Sequence, residues 1–207
     1  MQTTDIQIEP DIEKVVQFQR HCFNSGKTLS VDFRINQLKK LRKCIVDHEE
    51  LILDALNKDL NKSAFEAYAT EVGFTLSEID FTIKKIKKWA KPRKVHTPFL
   101  HAIASSRIYP EPYGICLIIA PWNYPFQLIM TPLIGAIAAG NCCVLKPSEL
   151  AEHTAAIVNK IVSENFEPEY IKVIEGGIET SQELLEQKFD YIFFTGSTDV
   201  GRIVYQA

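Results

Sequence analysis

The sequence predicts an α/β fold in which a helical N-terminal part precedes an open parallel sheet. Two observations predict it. Before Trp89, apolar residues recur at helical spacing, whereas after Gly114 short apolar runs of strand length alternate with helix-length segments. Four successive strand–helix repeats imply parallel strands that are joined by right-handed crossovers.

The N-terminal part is predicted to be a series of amphipathic helices. Residues 1–10 indicate an irregular arm that ends at Pro10. Three helices are then expected, each with its apolar residues on one face: Asp11 to about Ser25, Ser30 or Asp32 to Leu60, and Glu66 to Trp89. Pro92 ends the last helix. No candidate catalytic or binding residue is visible in this segment.

Residues 96–113 interrupt the helical pattern with three prolines. Within them, Ser105 to Tyr109 is predicted to be an edge strand or one arm of a hairpin. The sheet follows, with strands expected at Ile115–Ala120, Cys142–Leu145, Tyr170–Ile174 and Tyr191–Thr195. Helices are expected at Pro125–Ala139, Ser148–Glu164 and Glu179–Gln187, and another starts near Thr198; Ser148 is the predicted N-cap of its helix.

The composition excludes several classes of protein. With 207 residues, 46% hydrophobic content and a net charge of −3, the chain has no electrostatic reason to bind nucleic acid. No apolar run is long enough for a transmembrane segment, and the acidic N-terminus is not a secretory signal. Five cysteines without a CxxC pair argue against disulfides or a metal site, so a cytoplasmic location is expected.

The basic run Lys84–Lys94 has two interpretations. It could contact an anionic partner, or it could be a solvated helix C-terminus whose cations complement the helix dipole. We favour the second, because one short patch does not offset an acidic chain.

Three motifs at predicted strand exits carry candidate chemistry, and each has a purely structural alternative. Gly196-Ser197 before a helix, with Gly201 one turn later, suits phosphate binding or is an ordinary N-cap. Lys146 and Glu149 could hold ribose hydroxyls, or could be a surface lysine beside a capping residue. Asn123, in a turn stiffened by prolines, could donate to an oxyanion or serve only the turn. The dinucleotide fingerprint GxGxxG is absent.

The segments PWNYPF, GAIAAGN, VLKPSE and FFTGSTDVG, in this order, resemble the aldehyde dehydrogenase superfamily, most closely its class 3 branch. The resemblance covers essentially the whole chain. It implies a Rossmann-like cofactor domain made of an N-terminal helical segment (1–95) and βα repeats (114–207), with part of an oligomerisation arm between them (96–113). It also implies a homodimer in full-length form that oxidises aldehydes to carboxylic acids through a thiohemiacetal.

The resemblance also implies roles for individual residues. Asn123 would donate its amide to the aldehyde oxyanion, and the remaining matched positions would bind the cofactor: Ile119, Pro121, Trp122, Lys146, Glu149, Gly196, Ser197 and Gly201. Because the Glu149 carboxylate would repel a 2′-phosphate, NAD is the expected cofactor, with NADP as the alternative.

The sequence departs from the family pattern in one respect. The family's nucleophilic cysteine and general-base glutamate lie in motifs that follow the GSTxxG helix, and neither motif is in these 207 residues. The chain stops within its last predicted helix, so we expect a truncated fold with low stability. We also expect the chain to be inactive as an enzyme on its own. Two other interpretations remain: a noncatalytic nucleotide-binding or interaction module, and a reductase of acyl phosphates.

Overall fold

The computed structural model describes residues 11–101 and 103–207, so the arm predicted for residues 1–10 lies outside the described part. The N-terminal part is helical, as predicted. Its helices are α1 (Ile12–Asn24), α2 (Val31–Asp47), α3 (Glu49–Leu60), α4 (Ala64–Ala67) and α5 (Gly73–Trp89). A π-helical turn, Tyr68–Val72, joins α4 to α5, and 3₁₀ turns lie at Lys27–Leu29 and Phe99–His101.

Two of the predicted helices are interrupted. The helix expected to run to Leu60 breaks at His48, whose φ of −112° and ψ of 13° are not helical, and continues as α3. The helix expected from Glu66 starts at Ala64, where the Ser63 hydroxyl accepts from the Glu66 N–H, and then widens into the π turn. The apolar faces nevertheless match the prediction, because the stripe residues Leu38, Leu41, Ile45, Ile52 and Ile79 are fully buried.

A hairpin separates the helices from the sheet. Strand β1 (Arg93–Val95) pairs antiparallel with β2 (Ser106–Ile108), so of the two alternatives for Ser105–Tyr109 the structure has the arm of a hairpin. The first strand lies just N-terminal to the expected arm boundary at residue 96.

The sheet has four parallel strands in the order β5-β4-β3-β6, which confirms the predicted fold class. The strands are β3 (Ile115–Ile119), β4 (Cys142–Lys146), β5 (Ile171–Val173) and β6 (Tyr191–Phe194). They alternate with α6 (Gln127–Ala139), α7 (Glu152–Asn165), α8 (Ile178–Leu185) and α9 (Thr198–Gln206). Gly140, with φ of 95°, ends α6 in the left-handed conformation that glycine adopts without strain.

The two faces of the sheet bury two apolar clusters. Cys116, Ile118 and Leu145 face the larger cluster, which includes residues of α2, α5, α6 and α7. Leu117 and Val144 alternate with them and face the smaller cluster with Ile12 of α1 and Leu184 of α8. The sheet is therefore covered on both sides, as in parallel α/β proteins. Within residues 11–101 and 103–207, no helix combines the length and apolar composition needed to cross a membrane.

Candidate functional site

Three strands end in one row at the carboxyl edge of the sheet. Ile119 pairs in register with Lys146 on one side and with Phe194 on the other. The row extends one residue further, because the N–H of Ala120 donates to the Lys146 carbonyl and that of Thr195 to the Ile119 carbonyl, both at 3.1 Å. Adjacent strands lie about 4.8 Å apart, so the ends of β4 and β6 are roughly 10 Å apart. The three predicted motifs therefore leave the sheet side by side, where open α/β sheets bind ligands.

The first motif, after β4, contains a buried ion pair. Lys146 is 1% exposed, so the alternative of a surface lysine is wrong. Its Nζ donates to the Pro147 carbonyl at 2.9 Å and to Glu149 Oε2 at 3.0 Å. Partial burial would raise the pKa of the Glu149 carboxyl, but hydrogen bonding and the Lys146 charge outweigh it, and the pKa is lowered. Glu149 thus presents an ionised, half-exposed carboxylate at the sheet edge.

The helix after this motif is capped from a distance. Ser148 was the predicted N-cap, but α7 begins at Glu152 after Ala151, which makes no side-chain cap. Instead the Asp59 carboxylate of α3 accepts the Thr154 N–H at 2.7 Å and the His153 N–H at 3.1 Å. It also accepts from the Thr154 hydroxyl and His153 Nδ1, at 2.7 and 2.8 Å. Asp59 therefore anchors the far end of the loop that carries Glu149.

The second motif, after β3, is a turn that presents Asn123 to solvent. Pro121 is half-buried, and Trp122 and Asn123 are exposed. Asn123 Oδ1 accepts from the Tyr124 N–H at 3.1 Å. Since a backbone N–H can only donate, the amide oxygen is directed at Tyr124 and the NH₂ group is directed away from it. In the described part of the chain, that NH₂ group makes no hydrogen bond, so it can donate to a ligand oxygen.

Two residues that hold this turn were missed by sequence reasoning. Lys62 and Glu71 form an ion pair with side chains that are 9% and 0% exposed. Lys62 Nζ also donates to the Asn123 carbonyl at 3.1 Å, and Glu71 Oε2 accepts from the N–H groups of Phe126 and Gln127 at 2.9 and 3.2 Å. No local signal could have found them, because 61 and 55 residues separate these partners in sequence.

The third motif, after β6, opens helix α9. Ser197 is its N-cap, with Oγ accepting from the Val200 N–H at 3.3 Å. A Cβ at Gly196 would lie 2.3 Å from Phe194 Cζ, and one at Gly201 would lie 3.4 Å from the same ring. The absent side chain at Gly196 therefore lets the Phe194 ring lie against the turn. An open cleft of about 430 Å³ borders this turn and the exposed side of α9.

The five cysteines lie in the larger apolar cluster, away from this edge. All five are free and buried. Burial raises the pKa of Cys116 to about 12, and it raises the pKa values of Cys44, Cys142 and Cys143. Since the thiolate is the nucleophilic form, none of these four thiols is activated for catalysis. The described residues also contain no group of three or more His, Cys, Asp or Glu side chains arranged to hold a metal ion.

Comparison with known proteins agrees with this architecture. The Aldehyde dehydrogenase family pattern matches residues 3–207. The chain is 51% identical over 196 residues to the 4,4'-diaponeurosporen-aldehyde dehydrogenase of Staphylococcus aureus (strain NCTC 8325 / PS 47), covering 95% of this chain and 43% of that protein. It is 45% identical to aldehyde dehydrogenase family 3 member A2 of Macaca fascicularis, covering 95% of this chain and 40% of that protein.

A third relative is the "Aldehyde dehydrogenase, dimeric NADP-preferring" of Canis lupus familiaris, at 43% identity over 95% of this chain and 43% of that protein. Among solved structures, the substrate-bound state of Staphylococcus aureus AldH superposes with a TM-score of 0.93 at 51% identity, covering 94% of this chain and 43% of that one. The chain spans about two fifths of the length of the relatives it matches. This chain therefore belongs to the aldehyde dehydrogenase family and is similar to its class 3 members.

Proposed function

We propose that this chain forms the cofactor-binding edge and supplies the oxyanion donor of an enzyme that oxidises aldehydes to carboxylic acids with NAD. The observation that carries the proposal is the free NH₂ group of Asn123, held in a fixed turn between the Glu149 and Gly196 motifs. A donor of this kind stabilises the negative charge that develops on an aldehyde oxygen after nucleophilic attack.

The residues at the sheet edge fit a dinucleotide cofactor. Glu149 offers an ionised acceptor for ribose hydroxyls, with its carboxylate oriented by Lys146. The N-terminus of α9, which follows the Gly196-Ser197 turn, would provide backbone donors for a pyrophosphate. Ile119, Pro121 and Trp122 would line the cleft between these positions, and Gly201 would keep α9 near the sheet. When bound, such a cofactor would supply the acceptor for the hydride that the aldehyde carbon loses.

NAD is the proposed cofactor because the Glu149 carboxylate repels a 2′-phosphate. NADP is the alternative, since one relative is described as NADP-preferring. The Glu149 pKa is lowered, so this repulsion is present at neutral pH.

We also propose that these 207 residues do not turn over aldehyde on their own. The four thiols with raised pKa values are buried, and the fifth, Cys22, is buried among them. The same observation favours a second candidate function, a nucleotide-binding module without catalysis. Both candidates predict cofactor binding, and they differ in whether Asn123 serves a reaction.

A further part of the proposal concerns assembly and location. Phe99, Leu100 and Ile103 beside the β1–β2 hairpin are almost fully exposed, and such apolar patches mark interaction surfaces. We propose that this arm forms a homodimer contact, in a reducing compartment such as the cytoplasm that suits five free thiols. Light scattering of wild type and of a Phe99→Ser/Leu100→Ser variant tests the contact. If the arm forms the dimer, the variant should have a lower molar mass in solution than wild type.

The activity is tested with the purified chain and with a chimera. The chain alone should bind NAD but form no NADH from an aromatic or medium-chain aldehyde. Joining it to the remaining segment of the 51% identical Staphylococcus aureus dehydrogenase should yield a working enzyme. In this chimera Asn123→Ala should lower kcat by about 10²–10³ while leaving NAD affinity unchanged. A normal kcat in the variant would refute the oxyanion role, and normal turnover by the chain alone would refute its inactivity.

A further inference from the structure

The Lys62–Glu71 pair has no role in the function proposed so far. The Lys62 ammonium has three N–H donors, and three partners surround it: Glu71 Oε1, the Asn123 carbonyl at 3.1 Å, and the Tyr124 ring with its centroid at 4.1 Å. Two of these partners belong to the turn that presents the Asn123 amide. Lys62 therefore holds the backbone carbonyl of Asn123 itself and the ring of the residue that follows it.

Glu71 holds the other end of the same turn. Its Oε2 accepts from Phe126 and Gln127, two backbone donors at the start of α6 that have no intrahelical acceptor. The N-cap position of α6 is Phe126, which supplies no side-chain cap. Glu71 thus replaces a local cap, and its negative charge suits the positive end of the helix dipole.

The backbone that carries Glu71 is itself unusual. Glu71 lies in the π-helical turn Tyr68–Val72, in which the Gly73 N–H donates to the Tyr68 carbonyl five residues earlier. A Cβ at Gly73 would lie 3.0 Å from Tyr68 Cε1, so the turn also relies on a glycine. Such π-helical turns are rare, and they are frequently found at functional sites.

Stability alone does not explain a buried pair of this kind. Replacing a buried ion pair with apolar groups of similar size is often neutral or stabilising, because the desolvation penalty offsets the attraction. The hydrogen bonds of this pair all lie in one place. Lys62 and Glu71 bond to each other, and their other partners are all in residues 123–127.

We propose that Lys62 and Glu71 are positioning residues that hold the Asn123 amide at the carboxyl edge of β3. Lys62 orients the turn through the Asn123 carbonyl, and Glu71 orients it through the start of α6. The inference rests on the proposed function, in which Asn123 donates to an oxyanion. Neither residue contacts the reacting atoms, so both act through Asn123.

The primary test measures the turn directly in the full chain by NMR. Glu71→Gln keeps the shape but removes the charge, and should speed hydrogen exchange at Phe126 and Gln127 by roughly tenfold or more. Lys62→Met should shift and broaden the Asn123 side-chain NH₂ and Tyr124 signals. The matched control is Lys58→Met, which removes a lysine whose 2.7 Å contact with Asp54 is half-exposed, and should change neither signal.

A double variant separates positioning from stability. Lys62→Met/Glu71→Gln removes both charges but keeps an amide oxygen that can accept from the start of α6, so the chain should unfold near the wild-type denaturant midpoint while the Asn123 signals remain perturbed. If the single variants Glu71→Gln and Lys62→Met lower the unfolding free energy but leave the Phe126 and Asn123 signals unchanged, the positioning role is overturned.

The chimeric enzyme gives the second readout. There Lys62→Met should lower kcat at least tenfold with the KM for NAD unchanged. Should Asn123→Ala keep full activity, the oxyanion role fails while the NMR result still decides positioning. Should Asn123→Ala lose activity while Lys62→Met and the double variant keep it, the positioning role fails and the proposed function stands.

Discussion

Asp59→Ala should destabilise the chain far more than a surface substitution does. The Asp59 carboxylate is 3% exposed and accepts four hydrogen bonds, two of them from backbone N–H groups that open α7. Loss of a helix N-cap removes about 0.5–2 kcal/mol, and each buried donor left unpaired adds about 1–3 kcal/mol. The backbone N–H of His153 is exposed and can bond to water when Asp59 is removed, so its share of the loss is small. We therefore expect the unfolding free energy to fall by about 2–3 kcal/mol.

Urea unfolding at neutral pH measures this change, with Asp54→Ala as the matched control. Asp54 lies one turn away on α3, and its 2.7 Å contact with Lys58 is exposed, so its removal should change the unfolding free energy by about 0.5 kcal/mol or less. Asp59→Asn should fall between the two, because its amide oxygen can still accept from the backbone. Equal unfolding free energies for Asp59→Ala and Asp54→Ala would refute the capping role.

The same interaction has a pH signature. Burial raises the pKa of Asp59, but hydrogen bonds from Thr154 and His153 outweigh it, so its pKa in the fold lies below the ordinary 3.8. A lowered pKa means that the stabilisation is complete above about pH 4–5 and is lost as pH falls through the folded-state value. The stability difference between wild type and Asp59→Ala should therefore narrow at about pH 3. A difference that widens on acidification would contradict this assignment.

Three further predictions concern the sheet edge and the thiols. Gly196→Ala should lower the unfolding free energy by about 1–3 kcal/mol, because its Cβ meets the Phe194 ring. Gly135→Ala, whose Cβ meets nothing within 4 Å, should raise the unfolding free energy by about 0.5–1 kcal/mol. Thermal melts in which both variants shift the melting temperature in the same direction would count against this. Glu149→Gln should shift the binding preference roughly tenfold toward NADP in calorimetric titrations, and an unchanged ratio would place the 2′-position elsewhere. Ellman's reagent should find no fast-reacting thiol in the native chain at neutral pH and five after unfolding, and one fast thiol in the native chain would contradict the burial and raised pKa values.

Local sequence patterns predicted the strands of the sheet well, because short apolar runs and turn residues mark each strand and helix end. The runs Ile115–Ala120 and Cys142–Leu145 became adjacent strands, and Gly140-Asn141 ended the helix between them. Strand order, by contrast, was not predicted, because right-handed crossovers leave it open, and the structure places β6 beside β3.

The wrong N-cap at Ser148 and the missed role of Glu71 share a physical cause, which is capping from a distance. Ser148 has the residue type and position of an N-cap, yet it lies in a turn closed by the Ala151 N–H to its carbonyl at 3.2 Å. Asp59 satisfies the helix donors instead, 94 and 95 residues away in sequence. Glu71 does the same for α6. Such contacts depend on the tertiary fold, so neither residue type nor spacing could show that the N-terminal helices hold the candidate site.

The most direct test of the central claim is an NMR titration of the labelled chain with NAD at millimolar concentration. The account predicts that signals of Ile119–Trp122, Lys146–Glu149 and Gly196–Ser197 shift together, with one saturation curve, while signals of α2 remain still. Shifts confined to another surface, such as the groove lined by Tyr191 and Phe193, would contradict it, as would a folded chain in which no signal moves.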